Sequence, residues 1–75
     1  MPKLPAIKPK VLIKILLRLG FVHGHGKGSH MFFFHQDGRT TTIPFHNKEL
    51  PKGTLLGILK DIKIDKETFV KFLTK

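Results

Sequence analysis

The sequence predicts an α+β fold, a three-stranded antiparallel sheet with helices on one face, in the order α-β-β-β-α-α. Three observations carry this. Apolar residues between Lys10 and Leu19 recur with helical spacing and stop at Gly20. Three short runs rich in aromatic or β-branched residues then follow one another through short glycine-bearing connections, as an antiparallel meander requires. Two further helical patterns, after Pro51 and after Asp65, supply apolar faces that packing on one side of such a sheet would bury.

Each element has its own signals. Met1 to Pro9 holds three of the five prolines and reads as an extended arm, residues 1–9 of a single domain spanning 1–75. In the first helix Val11, Leu12, Ile15, Leu16 and Leu19 form the expected buried face, and Lys10, Lys14 and Arg18 form a cationic stripe on another. Gly20 stands where a left-handed C-terminal cap belongs. Phe21-Val22 opens the first strand, which runs into the loop His23-Gly24-His25-Gly26-Lys27-Gly28. Ser29 to Phe34 is the second strand, continuing to about His35, and Asp37-Gly38 is a hairpin signal. Thr40 to Ile43 is the third strand, stopped by Pro44. After the loop Phe45–Leu50, Thr54 or the residues before it cap a helix with Leu55, Ile58, Leu59 and Ile62 on its apolar face. Asp65 caps a last helix whose Phe69, Phe72 and Leu73 face inward.

Composition narrows the function classes. Seventy-five residues suffice for one core, and no apolar run approaches a membrane span. No signal peptide is legible, so the cytoplasm is the expected compartment. The absence of cysteine excludes disulfides and thiolate metal sites. Fourteen basic residues against five acidic ones give a formal charge of +9, and no acid precedes Asp37. Such a field draws polyanions: RNA, DNA, an anionic membrane or an acidic protein partner.

The side chain best suited to proton transfer is His30, at the start of the second strand, because an imidazole titrates near neutral pH. Strand alternation puts it on the side of Phe32 and Phe34, with Lys27 and the glycine-loop amides beside it as a possible phosphate cradle. A surface histidine with no chemical role fits the same position. Gly24, Gly26 and Gly28 do not make a nucleotide-binding fingerprint, because a strand rather than a helix follows; a flexible hairpin connection accounts for them. Gly28-Ser29-His30-Met31 matches the remnant of a cleaved expression tag, but it lies between two strands of a domain and is native. His23, His25, His30, His35 and His46 raise a metal hypothesis, yet their spacing fits no zinc or two-metal site and the carboxylates are scattered, so no metal ligands are assigned. His46 reads either as a loop histidine bonded to backbone or as a second proton-transfer group. Arg39, Lys48 and Lys52 could bind backbone phosphates or serve as solvated charges, and the same choice applies to the stripe on the first helix.

The segments Leu19-Gly20-Phe21, Lys27-Gly28-Ser29-His30, Ile43-Pro44-Phe45-His46, Leu50-Pro51-Lys52-Gly53-Thr54-Leu55 and Ile58-Leu59-Lys60 occur together over nearly the whole chain. In this the sequence resembles the HicA, or YcfA-like, toxins of toxin–antitoxin pairs. Phe32-Phe33-Phe34 and the His-Gly-His-Gly segment depart from that pattern. The resemblance implies a fold similar to a double-stranded RNA-binding domain, ribonuclease activity against mRNA with His30 as the catalytic residue, and a HicB-type antitoxin as protein partner. Such cleavage needs no cofactor or metal if the RNA 2′-hydroxyl attacks the adjacent phosphate. It needs a base, an acid and positive charge at the phosphorane. Lys27, Ser29 and His46 are the expected helpers to His30, and Lys10, Lys14, Arg18, Lys27, Arg39, Lys48 and Lys52 the expected RNA contacts. A non-catalytic RNA-binding module and an acidic-partner interaction domain are the rival classes.

Overall fold

In the computed structural model, which describes residues 4–73, the chain enters as an extended segment that is tied to the body. Ile7 is buried, and its carbonyl accepts the Leu50 N–H at 2.8 Å. Of the arm expected over 1–9, residues 1–3 lie outside the described residues, and Pro9 belongs to the helix instead. Helix α1 spans Pro9–Arg18 with that proline at its first position, where a missing N–H costs nothing.

Helix α1 ends as Gly20 predicts. Gly20 takes φ +94°, its N–H donates to the Leu17 carbonyl, and the Phe21 N–H donates to that of Leu16, the paired bonds of a Schellman cap. Leu12, Ile15 and Leu16 are buried and Leu19 half-buried, but Val11 is exposed, contrary to the face expected. Val11 sits on the flank of the buried arc, and Pro9 fills the inward position at this end of the helix.

Strands β1 (Val22–His23), β2 (His30–Phe34) and β3 (Thr40–Pro44) form the antiparallel meander in that order. Residues paired across β2 and β3 run from His30 with Pro44 to Phe34 with Thr40, and Val22 faces Phe34 on β1. Pro44 is the last residue of β3 rather than the stop beyond it. The hairpin between β2 and β3 turns at Gln36-Asp37-Gly38, with the Gly38 N–H donating to the His35 carbonyl and the His35 N–H to that of Arg39. It is a three-residue loop with a left-handed glycine, not a two-residue Asp-Gly turn.

Helix α2 (Lys52–Asp61) starts two residues before Thr54, so Thr54 lies inside it, and no side chain caps its N-terminus. Its C-terminal cap repeats that of α1, with Lys63 in the left-handed conformation at φ +57°. The Ile64 N–H donates to the Leu59 carbonyl and the Lys63 N–H to that of Lys60. Helix α3 (Lys66–Leu73) is capped by Asp65, whose carboxylate accepts the Thr68 N–H at 2.7 Å, as expected.

One face of the sheet meets the helices. Phe33 and Ile43 are fully buried there against Leu12, Leu16, Leu55, Ile62 and Phe69. The inward Thr41 hydroxyl donates to Asp61 at 3.0 Å, which satisfies a buried polar group. The other face carries His30, Phe32, Phe34, Thr40, Thr42 and Val22, most of it exposed. Element order and one-sided packing are those expected.

Candidate active site at the open end of the sheet

His30 begins β2, and three backbone contacts fix it. Its N–H donates to the Lys27 carbonyl at 2.9 Å, closing a turn in which Gly28 takes φ +59°. Gly26 packs flat against the His30 carbonyl: a Cβ there would fall 1.9 Å from that oxygen, so no other residue fits without moving the strand. On the other side the Phe45 N–H donates to the Ser29 carbonyl at 2.6 Å, joining the exit of β3 to the start of β2. The His30 ring itself is exposed and makes no hydrogen bond among the described residues. A rigid backbone thus presents a free imidazole.

The same end of the sheet gathers several of the expected helpers. Lys27 and Ser29 lie in the loop before His30, and His46 lies two residues beyond Pro44, the cross-strand partner of His30. All three are exposed. The His46 Nδ1 accepts the Lys48 N–H at 3.2 Å, so in the neutral ring the proton sits on Nε2. Lys48 and Lys52 are exposed in and just after this loop, and Phe45, 46 % exposed, adjoins them.

Other expected contacts lie elsewhere. Lys10, Lys14 and Arg18 are exposed on the side of α1 turned away from the core, in the layer opposite the open sheet face. Arg39 is at the far end of the sheet with structural partners. Its guanidinium donates to the Ile62 carbonyl at 2.5 Å and to Asp37 at 2.8 Å, and it stacks over the Phe21 ring at 5.0 Å. The Asp37 carboxylate accepts the Arg39 backbone N–H, and that bond, with the guanidinium beside it, holds its pKa below the ordinary carboxylate value.

The histidines do not converge. The His35 Nε2–H donates to the Leu19 carbonyl at 3.2 Å, its Nδ1 accepts the Asp37 N–H, and its ring meets Phe21 edge-on. Both nitrogens are therefore engaged in holding the hairpin to the end of α1. His23 leans on Phe33 at 5.2 Å, and His25 is exposed in the loop. No group of three histidines or acids among the described residues is arranged to hold a metal ion.

Of the Phe32-Phe33-Phe34 run only Phe33 is fully buried, while Phe32 is half-buried and Phe34 exposed. The signal was available: helices on one face leave the alternate residues of the central strand on the open one.

The chain is thus a basic α+β domain that carries the exposed His30 imidazole between two lysine-bearing loops. Residues 10–64 match the family model of the HicA toxin of bacterial toxin–antitoxin systems, and the chain belongs to that family. It is accordingly the toxin of a toxin–antitoxin pair, with an antitoxin as partner. No curated protein matches the chain. Among the described residues no helix is long and apolar enough to cross a membrane.

Proposed function

We propose that this toxin is an endoribonuclease that cuts mRNA in the cytoplasm by acid–base chemistry without a metal ion, with His30 as a catalytic residue. The observation that carries the reading is the His30 ring, exposed and unbonded on a backbone fixed from both sides. An imidazole so held has no internal partner to displace before it exchanges protons with a bound substrate.

The reaction runs by attack of the ribose 2′-oxygen on the adjacent phosphorus. A base takes the 2′-hydroxyl proton, the P–O5′ bond breaks, and an acid protonates the departing 5′-oxygen. The products are a 2′,3′-cyclic phosphate and a 5′-hydroxyl end. His30 takes the base role and His46 the acid role as the imidazolium, which gives its Nε2 proton to the 5′-oxygen and keeps the Nδ1 proton in place of the bond from the Lys48 N–H. Lys27 and the Ser29 hydroxyl face the developing negative charge, and Lys48 and Lys52 hold flanking phosphates. The Lys10, Lys14 and Arg18 stripe serves as a more distant field for the strand. A HicB-type antitoxin silences the toxin by covering this end of the sheet.

The test is cleavage of mRNA in excess chelator by the parent and by His30→Ala. Cleavage by the parent and none by a folded variant is the expected result; full cleavage by the variant rejects the reading. Binding without cleavage by the parent would leave a non-catalytic RNA-binding module.

A further inference from the structure

The open face of the sheet carries a line of three rings that the catalytic reading uses only at one end. His30, Phe32 and Phe34 alternate on the central strand and share that face. The Phe32 and Phe34 rings stack with centroids 6.2 Å apart and planes 27° from parallel. Phe34 is 39 % exposed and the flanking Val22, opposite it on β1, is 49 % exposed. No helix covers them, because the helices are committed to the Phe33 and Ile43 face.

Phe34 is exposed and Phe32 half-buried on this face. Gly24 donates its N–H to the Phe32 carbonyl at 2.7 Å, and a Cβ at Gly24 would fall 2.9 Å from the Phe32 ring and 3.2 Å from that of Phe34. The missing side chain is the space into which the rings lean. On the other side Thr42 and Thr40 face Phe32 and Phe34, and both are exposed, short and uncharged. Acidic residues are absent from the strands, and the loops at the His30 end bring Lys27 and Lys48.

We propose that Phe32 and Phe34 are a stacking platform for unpaired bases of single-stranded RNA, which places the nucleotides next to the cut along β2 from His30. This rests on the reading of His30 as the residue that meets the scissile phosphate. Flat aromatic rings on an open sheet bind any base through its π-face, while lysines at the margin hold the backbone. A duplex hides its base faces, so the platform selects single strands, loops or unpaired ends. Charge favours this occupant over a second copy, because two chains at a formal +9 each repel.

The experiment uses the full chain and a ten-nucleotide unstructured RNA, 2′-O-methylated throughout so that it cannot be cut and carrying central 2-aminopurines. An abasic version of the same oligomer reports the backbone contacts alone. Phe34→Leu and Phe32→Leu keep apolar bulk and remove the ring; thermal melting checks their fold. The expected result is that each weakens binding of the base-bearing oligomer about tenfold and relieves the 2-aminopurine quenching. Abasic binding is expected to stay unchanged. Parent-like affinity and quenching in a folded Phe34→Leu protein would overturn the platform. So would a self-association or antitoxin affinity that Phe34→Leu abolishes while RNA binding stays intact, since the face would then belong to a protein. Cleavage of unmodified RNA is scored separately. Intact cleavage without base-dependent binding removes the platform alone, and base-dependent binding without cleavage removes the catalytic reading alone.

Discussion

His30 and Pro44 face each other across β2 and β3 as a non-hydrogen-bonded pair. The Phe45 N–H donates to the Ser29 carbonyl one residue outside the pair, which is the pattern that defines it. Side chains approach most closely in such pairs, and the position asks no N–H of Pro44. The proline therefore ends the strand beside His30 at no cost in ladder bonds, and the loop that follows delivers His46 to the same end.

That geometry depends on Gly26. Gly26→Ala drives a methyl group into the His30 carbonyl, from which its Cβ would lie 1.9 Å, so either the loop or the strand start must shift. Displacement of a reacting group by about an ångström costs on the order of a hundredfold in rate. Gly26→Ala is expected to cut RNA cleavage by about that factor and to lower the melting temperature. His30→Ala, which removes an exposed and unbonded ring, should shift stability by no more than about 0.5 kcal/mol. Steady-state cleavage and thermal melts on the two variants check both; a Gly26→Ala protein as active as the parent would disprove the clamp.

Arg39 holds the opposite end. Arg39→Met removes the donors to the Ile62 carbonyl and to Asp37 while keeping an apolar stem over Phe21. Loss of charge-assisted bonds from a mostly buried guanidinium should cost about 2 kcal/mol of stability. RNA affinity is expected to change little, whereas a phosphate-binding arginine would show the reverse. Chemical denaturation and a binding titration separate the two roles.

The fold was largely legible because its signals are local. Helical spacing, Gly20, Asp65 and the strand runs each act within a few residues, and each stands close to where it was read, with β1 starting at Val22, β2 at His30 and β3 taking in Pro44. The errors came from contacts across the chain. Val11 matches the helical period yet stays in solvent, because Pro9 and the segment around Ile7 fill the space at that end. Arg39 reads as a surface cation until the turn after α2 brings the Ile62 carbonyl to it. The place of His30 on the open face was legible through alternation, but the glycines before it read as a flexible connection or a phosphate cradle. Their meaning, Gly26 against one carbonyl and Gly24 against two rings, exists only once the strands pair.

Acid should loosen the molecule through two carboxylates. Bonds from backbone N–H groups, of Arg39 to Asp37 and of Thr68 to Asp65, hold both pKa values below that of an ordinary aspartate. A group whose folded pKa is depressed stabilises fully above its unfolded pKa, and that contribution is lost as pH falls through the folded value. The melting temperature is thus expected to hold from neutrality to about pH 5 and to fall below about pH 4. Asp65→Asn keeps an N-cap acceptor without the charge, so the fall should be shallower in that variant. An identical pH profile would show that the α3 cap does not contribute.

Helix α2 offers two stabilising changes. Lys63 occupies the left-handed C-cap position at φ +57°, where glycine carries no Cβ penalty, and Gly57 lies within the helix with open space around it. Lys63→Gly and Gly57→Ala should each stabilise by about 0.5–1 kcal/mol. The sites are separate, so the gains should add. Denaturant midpoints on the single and double variants test this.

The division of labour between His30 and His46 can be read from the leaving group. The neutral His46 ring has its Nδ1 occupied by the Lys48 N–H, so it acts as an acid only as the imidazolium, giving the Nε2 proton while Nδ1 is protonated and free of that bond, whereas both nitrogens of His30 are unbonded. If His46 protonates the 5′-oxygen, His46→Ala should slow cleavage of ordinary RNA by about 10²–10⁴-fold. A substrate with sulfur in place of that bridging oxygen leaves without protonation, so the variant should cut it nearly as fast as the parent does. His30→Ala should stay inactive on both, because the sulfur does nothing for the 2′-hydroxyl proton. Rescue of His30→Ala instead would exchange the two roles, and rescue of neither would take His46 out of the proton transfer.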